Sequence, residues 1–138
     1  MGRILAIDYG LKKIGLALSD PLKIIAKPFK TIENNSYDFI LEYLFNIIDE
    51  YSIKEIVIGL PITLKNSFSD QTSIVQKFIN QLKEDLSIKI TIVDERLSSI
   101  EAKKSLIYQG IKTGHNKKEI DKTAAAIFLQ SYLNQIEK

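Results

Sequence analysis

The stretch Arg3-Ile4-Leu5-Ala6-Ile7-Asp8-Tyr9-Gly10-Leu11-Lys12-Lys13-Ile14-Gly15-Leu16-Ala17-Leu18-Ser19-Asp20 decides the fold. Arg3 to Tyr9 and Ile14 to Asp20 read as strands, and the short turn Gly10-Leu11-Lys12-Lys13 between them makes the pair an antiparallel hairpin. A third strand follows over Ile24 to Ile32. Pro28 inside it has no N–H to give a ladder, which predicts a sheet edge or a bulge. Beyond it, Ser36 reads as an N-cap, and Phe39, Ile40, Tyr43, Leu44, Ile47, Ile48 and Tyr51 recur at helical spacing, with Asp38, Glu42, Asp49 and Glu50 on other faces.

Glu55-Ile56-Val57-Ile58-Gly59-Leu60, stopped by Pro61, is nearly all apolar, the pattern of a parallel strand buried on both sides. A second amphipathic helix starts at Ser69 and presents Ile74, Val75, Phe78, Ile79, Leu82 and Leu86. Ile88 to Val93 is another buried strand, ending at Asp94-Glu95-Arg96. Ser98-Ser99-Ile100-Glu101 has capping-box spacing for a third helix closed by Gly110. Asn116 to Glu119 repeats the signal before a last helix to about Ile136, whose Ala124, Ala125 and Ala126 permit close packing. The order β-β-β-α-β-α-β-α-α is the ribonuclease H-like plan, an α/β fold on a mixed five-stranded sheet. Its first strand is central, with the antiparallel meander on one side and two parallel strands on the other. At 138 residues, 45% apolar and 26% charged, with no linker or repeat, the expectation is one domain over residues 1–138.

Composition narrows the chemistry. The absence of Cys removes thiolate nucleophiles and Cys-type metal sites, and a single His, His115 in a loop, removes multi-His sites. Any metal must therefore be held by carboxylates. The longest apolar run, residues 124–129, is six long against the roughly 18 a membrane span needs. The N-terminus lacks the order of a secretory signal, so a cytoplasmic protein is expected. The net charge of +2 divides unevenly, as +4 over residues 1–30, −5 over 31–60 and +3 over 61–138. Lys103, Lys104, Lys112, Lys117, Lys118 and Lys122 crowd one segment that suits phosphates, and equally suits a solvated helix face.

Acidic residues stand at three places where acids are costly. Asp8 ends the central strand, Asp94 and Glu95 end a buried parallel strand, and Asp121 precedes the Ala-rich face of the last helix. Ligands gather beyond the carboxyl ends of parallel strands. Carboxylates clustered there repel unless divalent cations neutralise them, which points to Mg²⁺ or Mn²⁺. Two such ions about 3.5–4 Å apart suit phosphodiester cleavage. Singly, each acid has a plain alternative: an Asx turn at Asp8, an exposed strand end at Asp94 and Glu95, a helix-dipole acid at Asp121. Asp94 and Glu95 face opposite ways in a regular strand, and the sequence alone does not choose between them. Tyr9, on the face opposite Asp8, suits either packing or stacking.

Four blocks carry a resemblance that spans nearly the whole chain: Ile7 to Asp20, Ile58-Gly59-Leu60-Pro61, Asp94 to Ala102, and Ile120 to Ala126. In order and spacing they resemble the signature blocks of the YqgF family, Holliday-junction-resolvase-like proteins of ribonuclease H-like fold regarded as nucleases for the 5′ end of precursor 16S ribosomal RNA. The resemblance implies a metal-binding triad of Asp8, Asp121 and one acid of the Asp94-Glu95 pair, with Glu95 favoured and Asp94 second. It also implies that Lys12 and Arg96 lie near the scissile phosphate, where Arg offers a planar fork. Two positions depart from the family: Leu11, where a small hydroxyl residue is common, and Asn66, where Gly is frequent. The family also lacks the acid that better-studied resolvases carry at the end of the strand holding Gly59-Leu60-Pro61.

The expected function is thus a metal-dependent endonuclease acting on structured RNA, with branched DNA as the second substrate class. Actin-like and sugar-kinase ATPases share the core plan but need a second subdomain, for which 138 residues leave no room. A non-catalytic nucleic-acid-binding assembly factor would gain nothing from three clustered carboxylates. Symmetric cutting of two strands requires a homodimer, whereas a monomer suits single-strand processing.

Overall fold

The computed structural model describes residues 2–60, 70–94 and 117–136, with only the backbone path described for 70, 71 and 117–123. Its strands are β1 (Arg3–Tyr9), β2 (Lys13–Ser19), β3 (Ala26–Glu33), β4 (Ile53–Leu60) and β5 (Lys89–Asp94). Its helices are α1 (Tyr37–Glu50), α2 (Asp70–Asp85) and α3 (Lys117–Ile136). The strands form one sheet in the order β3-β2-β1-β4-β5, antiparallel through β3, β2 and β1 and parallel through β1, β4 and β5. This is the mixed five-stranded sheet with a central first strand that the element order predicts. The third helix expected between Ser98 and Gly110 lies outside the described residues.

Side chains alternate across the sheet and fill two cores. Leu5, Ile7, Leu16, Ile56 and Ile58 pack with α1 and α2 through Leu44, Ile47, Phe78 and Ile79. Ile4, Ala6, Ala17 and Val57 pack with α3 through Ala125, Ala126, Phe128 and Leu129. The alanines of the sheet thus meet those of α3, the close approach expected from its Ala run. The Ser36 hydroxyl accepts the Phe39 N–H at 3.1 Å and caps α1.

Pro28 satisfies both of its expectations. β3 is an edge strand, and its register shifts where Pro28 pairs with Ala17 and Lys30 with Leu16, leaving Phe29 as the bulged residue. β3 begins at Ala26, two residues later than the sequence predicts, because the Asp20 carboxylate holds the preceding chain in a turn. It accepts the N–H groups of Leu22 (3.3 Å), Ile24 (2.7 Å) and Ile25 (2.8 Å). Burial raises the Asp20 pKa, but the N–H groups of Ile25, Ile24 and Leu22 outweigh it and hold the group below the usual 3.8.

Polar anchors tie the far half of α3 to the sheet. Buried Gln130 accepts the Ala26 N–H at 2.9 Å and donates to the Ile24 carbonyl at 3.0 Å, so one amide extends the β3 ladder. Buried Glu55 on β4 accepts the Thr91 hydroxyl at 2.7 Å and the Tyr132 phenol at 2.6 Å. Burial raises the Tyr132 pKa, and the bond to Glu55 raises it further.

Gln130→Ala leaves the Ala26 N–H and the Ile24 carbonyl without this partner, and each lost partner costs roughly 1–3 kcal/mol. A urea unfolding midpoint well below that of the unsubstituted chain, with an unchanged slope, is the expected result. Asp20, with its depressed folded pKa, contributes stability that is complete above the unfolded value near 3.8 and is lost as pH falls through the folded value. Asp20→Asn should therefore be less stable at neutral pH, with its deficit shrinking as pH drops below about 4 in thermal melts.

Candidate active site

The site lies at the carboxyl ends of β1, β4 and β5. Ile7, Ile58 and Ile92 form one row across these parallel strands, so the next row holds Asp8, Gly59 and Val93. Asp8 follows Ile4 and Ala6 on the α3 side of the sheet, whereas Leu5 and Ile7 face α1 and α2. It is half-buried, the first residue of β1 after Arg3 to escape complete burial. Gly59, between Asp8 and Val93, puts no side chain into this row.

Asp94 lies one residue beyond that row, paired with Leu60. Val93 packs in the α3-side core, so alternation turns Asp94 toward the other face. Two strand spacings of about 4.8 Å and the thickness of the sheet then separate its carboxylate from that of Asp8. Alternation thus puts the two described acids on opposite faces of the sheet. Among the described residues no group of three His, Cys, Asp or Glu converges. Glu95, Arg96 and His115 lie outside the described residues, as does the side chain of Asp121.

α3 approaches this edge with its first turns. Its far half reaches the β2–β3 loop through Gln130 and the opposite half of β4 through Tyr132, so the helix runs from the Asp8 end toward the base of the sheet.

The β1–β2 turn is held from outside. Asn34 donates its side-chain amide to the Gly10 carbonyl at 2.9 Å, and its backbone N–H goes to the Lys12 carbonyl at 2.9 Å. A Cβ on Gly10 would stand 2.3 Å from the Lys13 carbonyl oxygen, a backbone atom with little freedom to yield. This turn therefore presents Lys12, exposed at its tip, from a fixed backbone. Sequence reasoning missed Asn34, which carries no signal beyond preceding a capped helix. Tyr9 packs rather than awaiting a base: its ring lies 4.4 Å from that of Phe78, centroid to centroid, at 37°.

The family model described as "Holliday junction resolvase", RuvX, matches residues 2–135. A protein of Rickettsia typhi is 42% identical over 98% of this chain and 86% of its own length. One of Clostridium kluyveri is 40% identical over 99% of each. Both bear the name "Putative pre-16S rRNA nuclease". Among solved structures, Thermus thermophilus RuvC in complex with a Holliday junction substrate matches with a TM-score of 0.63 at 10% identity, over 99% of this chain and 96% of that one. The fowlpox virus Holliday junction resolvase matches with a TM-score of 0.56 at 16% identity, over 96% and 99%. At such identities these two structures establish the ribonuclease H-like fold alone.

Asn34→Ala should free the turn without disturbing the cores. A stability loss of about 1 kcal/mol and faster amide exchange confined to residues 10–13 are expected. Amide exchange followed by NMR checks both.

Proposed function

This chain belongs to the RuvX family, the YqgF group of Holliday-junction-resolvase-like proteins, and from that premise we propose that it cleaves phosphodiester bonds at the 5′ end of precursor 16S ribosomal RNA. The observation that carries the reading is Asp8, a carboxylate at the carboxyl end of a strand whose preceding four residues are completely buried, next to a row position with no side chain. Near full-length relatives named for that activity support the substrate.

The donor chemistry fits a hard divalent cation. Carboxylate oxygens are what Mg²⁺ and Mn²⁺ take, and a chain with no Cys and one His has little else to offer. In this proposal Asp8, Glu95 and Asp121 hold the metal. Glu95 is preferred to Asp94 because the family resemblance favours it and Asp94 follows Val93 onto the face away from Asp8. One or two cations held there would supply activation of a water and stabilisation of the leaving oxygen. The chain's own part is positional. The buried strand fixes the height of Asp8, and the pinned turn aims Lys12 at a phosphate. Arg96 binds the same phosphate through its planar fork.

Branched DNA is the second reading, favoured by the family description. Both are tested by incubating the protein with a precursor-rRNA 5′ segment and a four-way DNA junction, each with Mg²⁺, Mn²⁺ or EDTA. Cleavage of the RNA that EDTA abolishes is expected, whereas cleavage of the junction alone transfers the assignment to DNA. Asp8→Asn and Glu95→Gln should each lose roughly a hundredfold or more in rate, the several kcal/mol a metal site supplies, while still binding nucleic acid. Asp94→Asn should stay near the unsubstituted rate, and the reverse pattern gives the ligand role to Asp94. Binding without cleavage of either substrate overturns the nuclease in favour of an assembly factor.

A further inference from the structure

The end of the sheet opposite Asp8 carries features that the nuclease reading does not use. The β2–β3 loop exposes three aliphatic side chains, Leu22 (63%), Ile24 (50%) and Ile25 (39%). An apolar cluster of this kind marks an interaction site more often than a lone exposed residue does. The loop is also rigidly built. Asp20 accepts the backbone N–H groups of all three residues, and Gln130 holds the Ile24 carbonyl. Association here would cost little loop ordering. Beside the loop, Arg3, Pro21, Ile25, Phe29 and Tyr51 line a cavity of about 410 Å³. Lys27 and Arg3 line it together with Asp20, whose carboxylate accepts the loop N–H groups, and Lys23 is exposed on the adjoining loop, so basic side chains predominate there.

The complement of this surface stands on the same chain. On α1, Phe45 is 51% exposed, with exposed Glu42 three residues before it and exposed Asp49 four residues after it. These three share one helix face, an aromatic residue between two acids. Tyr51, which caps α1, also lines the cavity, so the Asp49 end of α1 borders it. Two acids of residues 31–60 and two lysines of residues 1–30 thus stand on exposed patches, each with an apolar centre.

We propose that this chain forms a two-fold symmetric homodimer in which Phe45 of each copy enters the basal cavity of the other, with Glu42 and Asp49 against Lys23 and Lys27. Such pairing is self-complementary and closes on itself. Nucleic acid suits the surface poorly, because the acids of α1 repel phosphates and the aliphatic loop offers them nothing. The contact lies away from the site and leaves both Asp8 edges open.

Sedimentation velocity of the full chain over a concentration series tests the proposal. The unsubstituted chain should sediment as a dimer that high salt weakens. Phe45→Ser should weaken association by roughly tenfold or more, as should each of two charge-reversed pairs, Lys23→Glu with Lys27→Glu and Glu42→Lys with Asp49→Lys. Mixing the two charge-reversed proteins makes both contacts complementary again, so a heterodimer should form where neither protein associates with itself. All five positions are exposed, and unchanged circular dichroism melts confirm that the variants fold. A chain that stays monomeric at every concentration overturns the proposal. So do variants that dimerise as before, or a mixture that remains monomeric.

Discussion

Four consecutive residues of β1, Ile4, Leu5, Ala6 and Ile7, are completely excluded from solvent, alternately into two different cores. The rest of the structure depends on this two-sided burial. Burying a large aliphatic side chain contributes about 1.5–3 kcal/mol, and a one-residue slip of β1 would exchange the two sets, driving Ile4 and Ile7 into the wrong layers. The register of β1 against β2 and β4 is therefore strongly fixed, and with it the height at which the strand leaves the cores. Asp8 occupies that exit. A carboxylate one residue earlier would be buried without solvent, and one residue later it would turn to the other face.

The same logic sets where α3 lies. Ala125 and Ala126 meet Ala6 and Ala17 across a contact with little relief, so ridges and grooves do little to fix how far the helix slides along the sheet. Directional bonds supply what packing leaves open. Gln130 is committed to two backbone groups beside β3, and Tyr132 to Glu55 on β4, which fixes both the rotation and the axial position of α3 from its far half. Helices are stiff over this length, so anchors at the base also determine where residue 121 stands at the other end.

What the sequence made legible was local. The hairpin, the edge strand at Pro28, the Ser36 cap and the close-packing alanines each depend on a few neighbouring residues, and the sheet order followed from the succession of elements. Asn34, Glu55 and Gln130 were not legible, because their partners lie 24 to 106 residues away and nothing nearby hints at them. The late start of β3 was hidden for a related reason: Leu22, Ile24 and Ile25 look like strand residues, and only the Asp20 carboxylate, by taking their N–H groups, withholds them from the ladder. For the candidate site, sequence placed Asp8 and the end of β5 at one edge. Spacing alone did not choose between Asp94 and Glu95, and the resemblance favoured Glu95; the register puts Asp94 on the face away from Asp8.

Both ends of the sheet use one device, a polar side chain that stiffens an irregular segment by satisfying its backbone. At the carboxyl edge Asn34 occupies the carbonyls of Gly10 and, through its own N–H, Lys12; at the base Asp20 occupies the N–H groups of an aliphatic loop. The choice of side chain matches what each segment displays. A neutral amide at the β1–β2 turn adds no charge to the edge that holds Asp8, whereas a carboxylate is accommodated at the base because three N–H groups disperse its charge inward. Lys23 and Lys27 then set the sign of the basal surface, even though an acid forms its scaffold.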